Sequence, residues 1–158
     1  MNAYRSTTYY LKFKDIQTVF PDLKIYIGQE PDKEGVEQQL TLIPTGGFPN
    51  DSGDGGVEYL GIQFLVRDTS FDTCIDILKW VKKYLTNTTG EGIKEAFADP
   101  TTWDSAPIWD NFEQWNTLTS TVFGWENTST ISNIKKDEKN RYVFSDNYII
   151  YNNEEELS

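Results

Sequence analysis

Residues 57–85, VEYLGIQFLVRDTSFDTCIDILKWVKKYL, constrain the fold more than any other stretch, because two periods meet there. In VEYLGIQFLVRD, Leu60, Ile62, Phe64 and Val66 face one way, and Tyr59, Gly61, Gln63, Leu65 and Arg67 face the other. The first set is the core set. The period then changes. Ser70 or Thr69 can cap a helix, and Asp72 places its charge where the helix N-terminus favours an anion. Phe71, Cys74, Ile75, Leu78, Val81 and Leu85 recur at helical spacing, which predicts a helix over 70–85 packed on the sheet. Ile77, Trp80 and Tyr84 form a second apolar flank. That flank either widens the core stripe or meets a neighbouring subunit.

Around this unit the chain alternates between short elements. Residues 4–20 fit a helix through Tyr9, Tyr10, Phe13, Ile16 and Phe20, ended by Pro21, although TTYYLKFK also alternates like a strand. LKIYIG (23–28) and VEQQLTLIP (36–44) read as strands. TNTTGEG (86–92) is a loop, and GIKEAFADP fits helix and strand equally. Residues 101–130 hold four of the five tryptophans and show no clean period. A hairpin follows, with TISNI, the turn KKDEKN, and RYVFSDNYIIY as its second strand. The reading is one domain over 1–152, with 97–129 as an insertion and 153–158 as an acidic disordered tail.

Composition excludes several function classes. The 158 residues carry 25 acidic against 14 basic side chains, a net charge of −11 that repels nucleic-acid phosphates. There is no histidine, which removes Ser-His-Asp and Cys-His nucleophiles and the usual zinc sites. Cys74 is the single cysteine and sits on the apolar helix face, where it reads as a small buried hydrophobe. No apolar run reaches membrane-spanning length, and the first residues lack a signal-peptide core, so cytoplasmic synthesis is expected.

The stretch PTGGFPNDSGDGG (44–56) lies between two strands and has the glycines and acids of two kinds of binding loop. Asn50, Ser52, Asp54 and Gly55 match the first positions of a calcium loop, but the twelfth is Gly61 instead of a bidentate Glu. A phosphate loop needs a lysine after its last glycine and a helix behind it, and neither follows. A long connection remains, and such loops are often binding surfaces. In the tryptophan-rich stretch, Trp103, Trp109, Trp115 and Trp125 can stack on sugars, cap the sheet or fill a protein interface. The pairs Asp104/Asp110 and Glu113/Glu126 could serve glycoside cleavage, yet acidic pairs are frequent by chance in so acidic a chain. No catalytic, cofactor or metal site emerges.

FPDLKIYIGQEPD, LTLIPTGGFPND, GIQFLVRDTSFDTCIDILKWVKKYL and ISNIKKDEKNRYVFSDNYIIY together resemble the tail terminator and minor capsid proteins of long-tailed bacteriophages. The shared pattern is Gly46, Gly47 and Pro49 before Ile62, Gln63, Val66 and Arg67. Asp137, Glu138, Arg141, Tyr142, Phe144, Ser145 and Asn147 follow later. The resemblance covers 10–85 and 130–151; residues 97–129 depart from it. It implies an α+β fold, a mainly antiparallel sheet with two or more helices packed on one face, here with a long irregular Trp-rich segment. It also implies a cofactor-free structural virion protein, assembled in the host cytoplasm, that caps the tail tube as a hexameric ring. Its expected partners are its own copies, the tail tube protein and the head–tail connector, with DNA crossing the channel unbound. Expected interface residues are Phe48, Asp51, Asp54, Arg67, Trp80, Tyr84, Trp103 and Trp109. For Arg67 two partners compete, a local acid such as Asp68 or an acidic residue of the adjacent subunit. The alternatives are another neck protein, for head completion or as a stopper, and a carbohydrate-binding module.

Overall fold

The computed structural model describes residues 3–28, 38–48, 57–86 and 120–154. The elements are α1 (Ala3–Phe13), α2 (Ile16–Val19), β1 (Leu23–Ile27), β2 (Gln38–Phe48), β3 (Val57–Asp68), α3 (Phe71–Thr86), β4 (Ser120–Asn127), β5 (Ser132–Lys136) and β6 (Tyr142–Glu154). The fold is α+β, as expected. The six strands run in the order β1-β2-β3-β6-β4, with β5 also on β6. Only the β1–β2 pair is parallel.

The long β3–β6 ladder runs from Val57 opposite Asn153 to Asp68 opposite Tyr142 and forms the centre of the sheet. Along its other edge β6 pairs first with β5 and then with β4, so those two strands lie end to end. Asp146, fully buried, bridges the gap between them. Its Oδ1 accepts from Asn127 Nδ2 at 2.9 Å and from Ser129 Oγ at 3.0 Å. The Ser129 hydroxyl oxygen in turn accepts the Asn147 N–H at 2.9 Å.

The core face of the sheet matches the alternation read from the sequence. Ile62, Phe64 and Val66 of β3 join Leu40 and Leu42 of β2 and Phe144, Tyr148 and Ile150 of β6 in one cluster with residues of α1 and α3. From α3, Ile77, Leu78, Val81 and Leu85 are buried, each contributing roughly 1.5–3 kcal/mol of apolar burial. Phe71, expected in that stripe, is instead exposed, its ring edge-on to Tyr142 and Phe144. Ser70 is the cap, its hydroxyl accepting the Thr73 N–H at 3.3 Å.

Three boundaries differ from the sequence reading. The first helix stops at Phe13 because Asp15 takes a left-handed φ of 64°, and a separate short α2 follows before Pro21. The tryptophan-rich stretch ends in a strand, β4, and β6 runs on to Glu154, into the expected tail. Residues 97–119 and 155–158 lie outside the described residues.

The glycine stretch opens as strand. β2 continues through Gly46, Gly47 and Phe48, paired with Gly61, Leu60 and Tyr59, after a bulge between Pro44 and Gly46. Gly46 and Gly47 adopt φ of 93° and 120°. A Cβ at Gly46 would meet nothing, whereas one at Gly47 would collide with the backbone of Tyr59 and Gly61. Gly46→Ala is therefore expected to cost about 1 kcal/mol, and Gly47→Ala at least about 2 kcal/mol, in urea unfolding. Equal costs would show that the close approach of β2 to β3 is not constraining.

Candidate assembly surfaces

On the face of the sheet turned away from the core set, Gln39, Thr41, Leu65, Val143 and Ser145 are also buried, while Tyr59, Gln63 and Arg67 are half-buried. The register rows decide what meets what. At one end Gln39, Arg67 and Val143 stand side by side; at the other Phe48, Tyr59 and Tyr151 do. Arg67 and Tyr59 are eight positions apart on β3, roughly 26 Å along the strand. These are two separate regions of the sheet.

The first is charged and tightly organised by the β5–β6 turn. Asp137 Oδ1 accepts the N–H groups of Lys139 and Arg141 at 3.0 and 2.9 Å. Its Oδ2 takes Arg141 Nε at 2.8 Å and Nη2 at 2.7 Å. Arg141 is buried and donates Nη1 to Gln39 Oε1 at 3.1 Å, tying the turn to β2. Arg67 Nη1 reaches Asp137 Oδ2 at 3.5 Å. Burial works against ionisation of Asp137, but the backbone and side-chain hydrogen bonds from Arg141 outweigh it and hold the carboxyl below its ordinary range. Asp68 is turned elsewhere: Oδ2 accepts from Gln38 Nε2, and Oδ1 takes the Ser70 N–H at 3.1 Å. Arg67 thus has an acidic partner within its own chain, Asp137, which the sequence did not suggest.

The second region is aromatic. The rings of Tyr59 and Tyr151 meet edge to face at 5.5 Å, and the Tyr151 hydroxyl donates to Glu126. Phe48 takes the neighbouring register position, opposite Tyr59, at the end of β2. Asp51 and Asp54 of the glycine stretch, and the calcium and phosphate readings of it, lie outside the described residues.

Trp80 and Tyr84 belong to a different layer, on α3. Both are half-buried, their rings 4.3 Å apart, and Trp80 packs partly against the core. They extend the core stripe while keeping one side open. Trp103, Trp109 and Trp115 lie outside the described residues, as do Asp104, Asp110 and Glu113. Trp125 is resolved as core: it is buried, donates Nε1 to Thr7 Oγ1 at 2.9 Å and packs on Tyr10 at 4.9 Å. It is therefore closed to a sugar ring.

Which strands edge the described sheet was not legible in the sequence. All five residues of β5 are exposed, and β1 forms the opposite edge. The partial signal was SNIKK, a short strand carrying two lysines, which is how proteins commonly dress an edge.

Among the described residues, β1 forms one edge of the sheet and β4 with β5 the other. A family model described as bacteriophage tail terminator protein matches residues 10–98, more than half of the chain. The chain belongs to that family and is a structural protein of the phage tail. No curated protein matches it.

Proposed function

We propose that this protein caps the tail tube as a ring, ending tube growth and offering the surface on which the head is joined. What supports the reading is the family match across the strand–bulge–strand–helix unit. Its partners are other copies of itself, six by the resemblance, together with the tail tube protein and the head–tail connector. Phe48, Asp51, Asp54, Trp80, Tyr84, Trp103 and Trp109 are assigned to these contacts. Arg67 keeps a lesser part, because Asp137 already holds it. The net charge of −11 suits a channel that DNA crosses without adhering, since like charges repel. An acidic lumen is expected, and a basic one would refute that point.

The test is to add the purified protein to tail tube protein during polymerisation. Tubes should stop growing and carry a ring at one end in negative stain, and light scattering should record a ring-sized mass. Unchanged tube lengths at saturating protein would overturn the reading.

A further inference from the structure

A ring needs a head-to-tail contact, in which two different surfaces of the subunit meet, whereas an isologous dimer needs one self-complementary patch. The described residues divide in the way a ring requires. Their exposed large apolar side chains are Val19, Ile27, Phe71 and Ile134. Val19 and Ile27 flank and end β1. Ile134 lies on β5, and Phe71 sits over the start of β6 beside it. Each edge of the sheet thus carries its own apolar pair.

We propose that copies join by antiparallel pairing of β5 from one subunit with β1 from the next, which continues the sheet around the ring. This rests on the ring reading above. The strand directions allow it: β1, β2 and β6 point one way, β3, β4 and β5 the other. Rotation about the ring axis preserves those directions, so β5 meets β1 of the next copy antiparallel. Both strands have five residues, and the pairing falls on the later part of β1, because the Leu23 N–H and carbonyl are already bonded to the Phe20 carbonyl and to Gln17 Nε2. Charge agrees as well. Lys135 and Lys136 on β5 are exposed, and exposed Asp15 and Asp22 precede β1. β1 itself carries Lys24, so the complementarity comes from its flank. The bulge between Asn133 and Lys135 and the two lysines discourage pairing with an arbitrary strand, so the partner edge must answer that charge. Backbone pairing supplies the affinity, and the apolar pairs close over the two ends of the seam.

The test uses Lys24→Cys and Lys135→Cys in the full-length chain, the second residue of β1 and the fourth of β5, which antiparallel pairing brings opposite each other. Both sites are exposed and lie on the helix-free face, Lys24 beside Gln39 and Lys135 beside Val143. Cys74 stays silent, because burial and then the nearby Asp68 charge push its thiol up to about 12. Circular dichroism of each variant first checks that the fold is kept. A mixture of the two single variants, treated with a short thiol–thiol cross-linker at up to millimolar protein, should give at least tenfold more dimer than either alone. A chain carrying both cysteines should give a ladder that stops at the ring size. Equal dimer from the single variants would mean an isologous contact and overturn the proposal, as would no cross-link at any concentration. Ring-sized particles without the cross-link would discard this seam and keep the terminator reading. A closed ladder from a protein that leaves tube growth unchanged would keep the seam and discard that reading.

Discussion

Asp137→Ala is expected to lower the unfolding free energy by about 3 kcal/mol, because it leaves the buried Arg141 guanidinium without its carboxylate. The loss comes mainly from an uncompensated buried charge, so Lys135→Ala, an exposed change on the neighbouring strand, should stay within about 0.5 kcal/mol. Asp137→Asn separates charge from shape. The folded state holds this carboxyl below its ordinary value of 3.8. Its contribution is therefore fully present above that value and fades as the pH falls through it to the lower folded pKa. Urea unfolding from pH 7 to pH 2.5 should show the wild type losing stability in the acid range more steeply than Asp137→Asn. Parallel acid limbs would mean that Asp137 is not the titrating group.

The second large effect is at Trp125. Trp125→Ala removes a ring packed on Tyr10 and is expected to cost about 4 kcal/mol. Trp125→Phe keeps most of the ring volume and loses only the Nε1 donor to Thr7, for about 1 kcal/mol. The Thr7 hydroxyl still donates to the Ala3 carbonyl at 2.8 Å, so no buried donor is stranded. Chemical denaturation of both variants separates packing from hydrogen bonding. If both cost about the same, the hydrogen bond outweighs the packing.

What the sequence made legible follows from how local each signal is. β3 and α3 each bury one clean face, so their periods of two and 3.6 survive in the residue order. β4 hid because a register shift between Val122 and Gly124 interrupts its alternation, and STVFGWEN then reads as a polar stretch with aromatics. The break after α1 hid for the opposite reason. Tyr9, Tyr10, Phe13, Ile16 and Phe20 keep helical spacing, and the left-handed turn at Asp15 leaves that pattern unchanged. Of the candidate site, the Gly46–Gly47 corner could be read from composition, because only glycine suits those backbone angles. The Arg67–Asp137 contact could not. Its members are 70 positions apart, and in an acidic chain every arginine has many apparent partners nearer in sequence. The sheet edges were half-legible, since lysines mark an edge while strand order depends on long-range pairing.

The place of β6 has a consequence for biogenesis. It follows every other described element in the chain, yet it lies between β3 on one side and β4 and β5 on the other. During translation, the earlier strands emerge with their central partner still unmade. β3 waits with one side open, and β4 and β5 have no sheet to join. Chaperones that shield unpaired strands have their longest opportunity in that interval, and a ribosome that stalls before Tyr142 leaves a product without the strand that joins β3 to β4 and β5. Formation of the described sheet is thus timed by β6, and partly made copies lack the β5–β6 pairing.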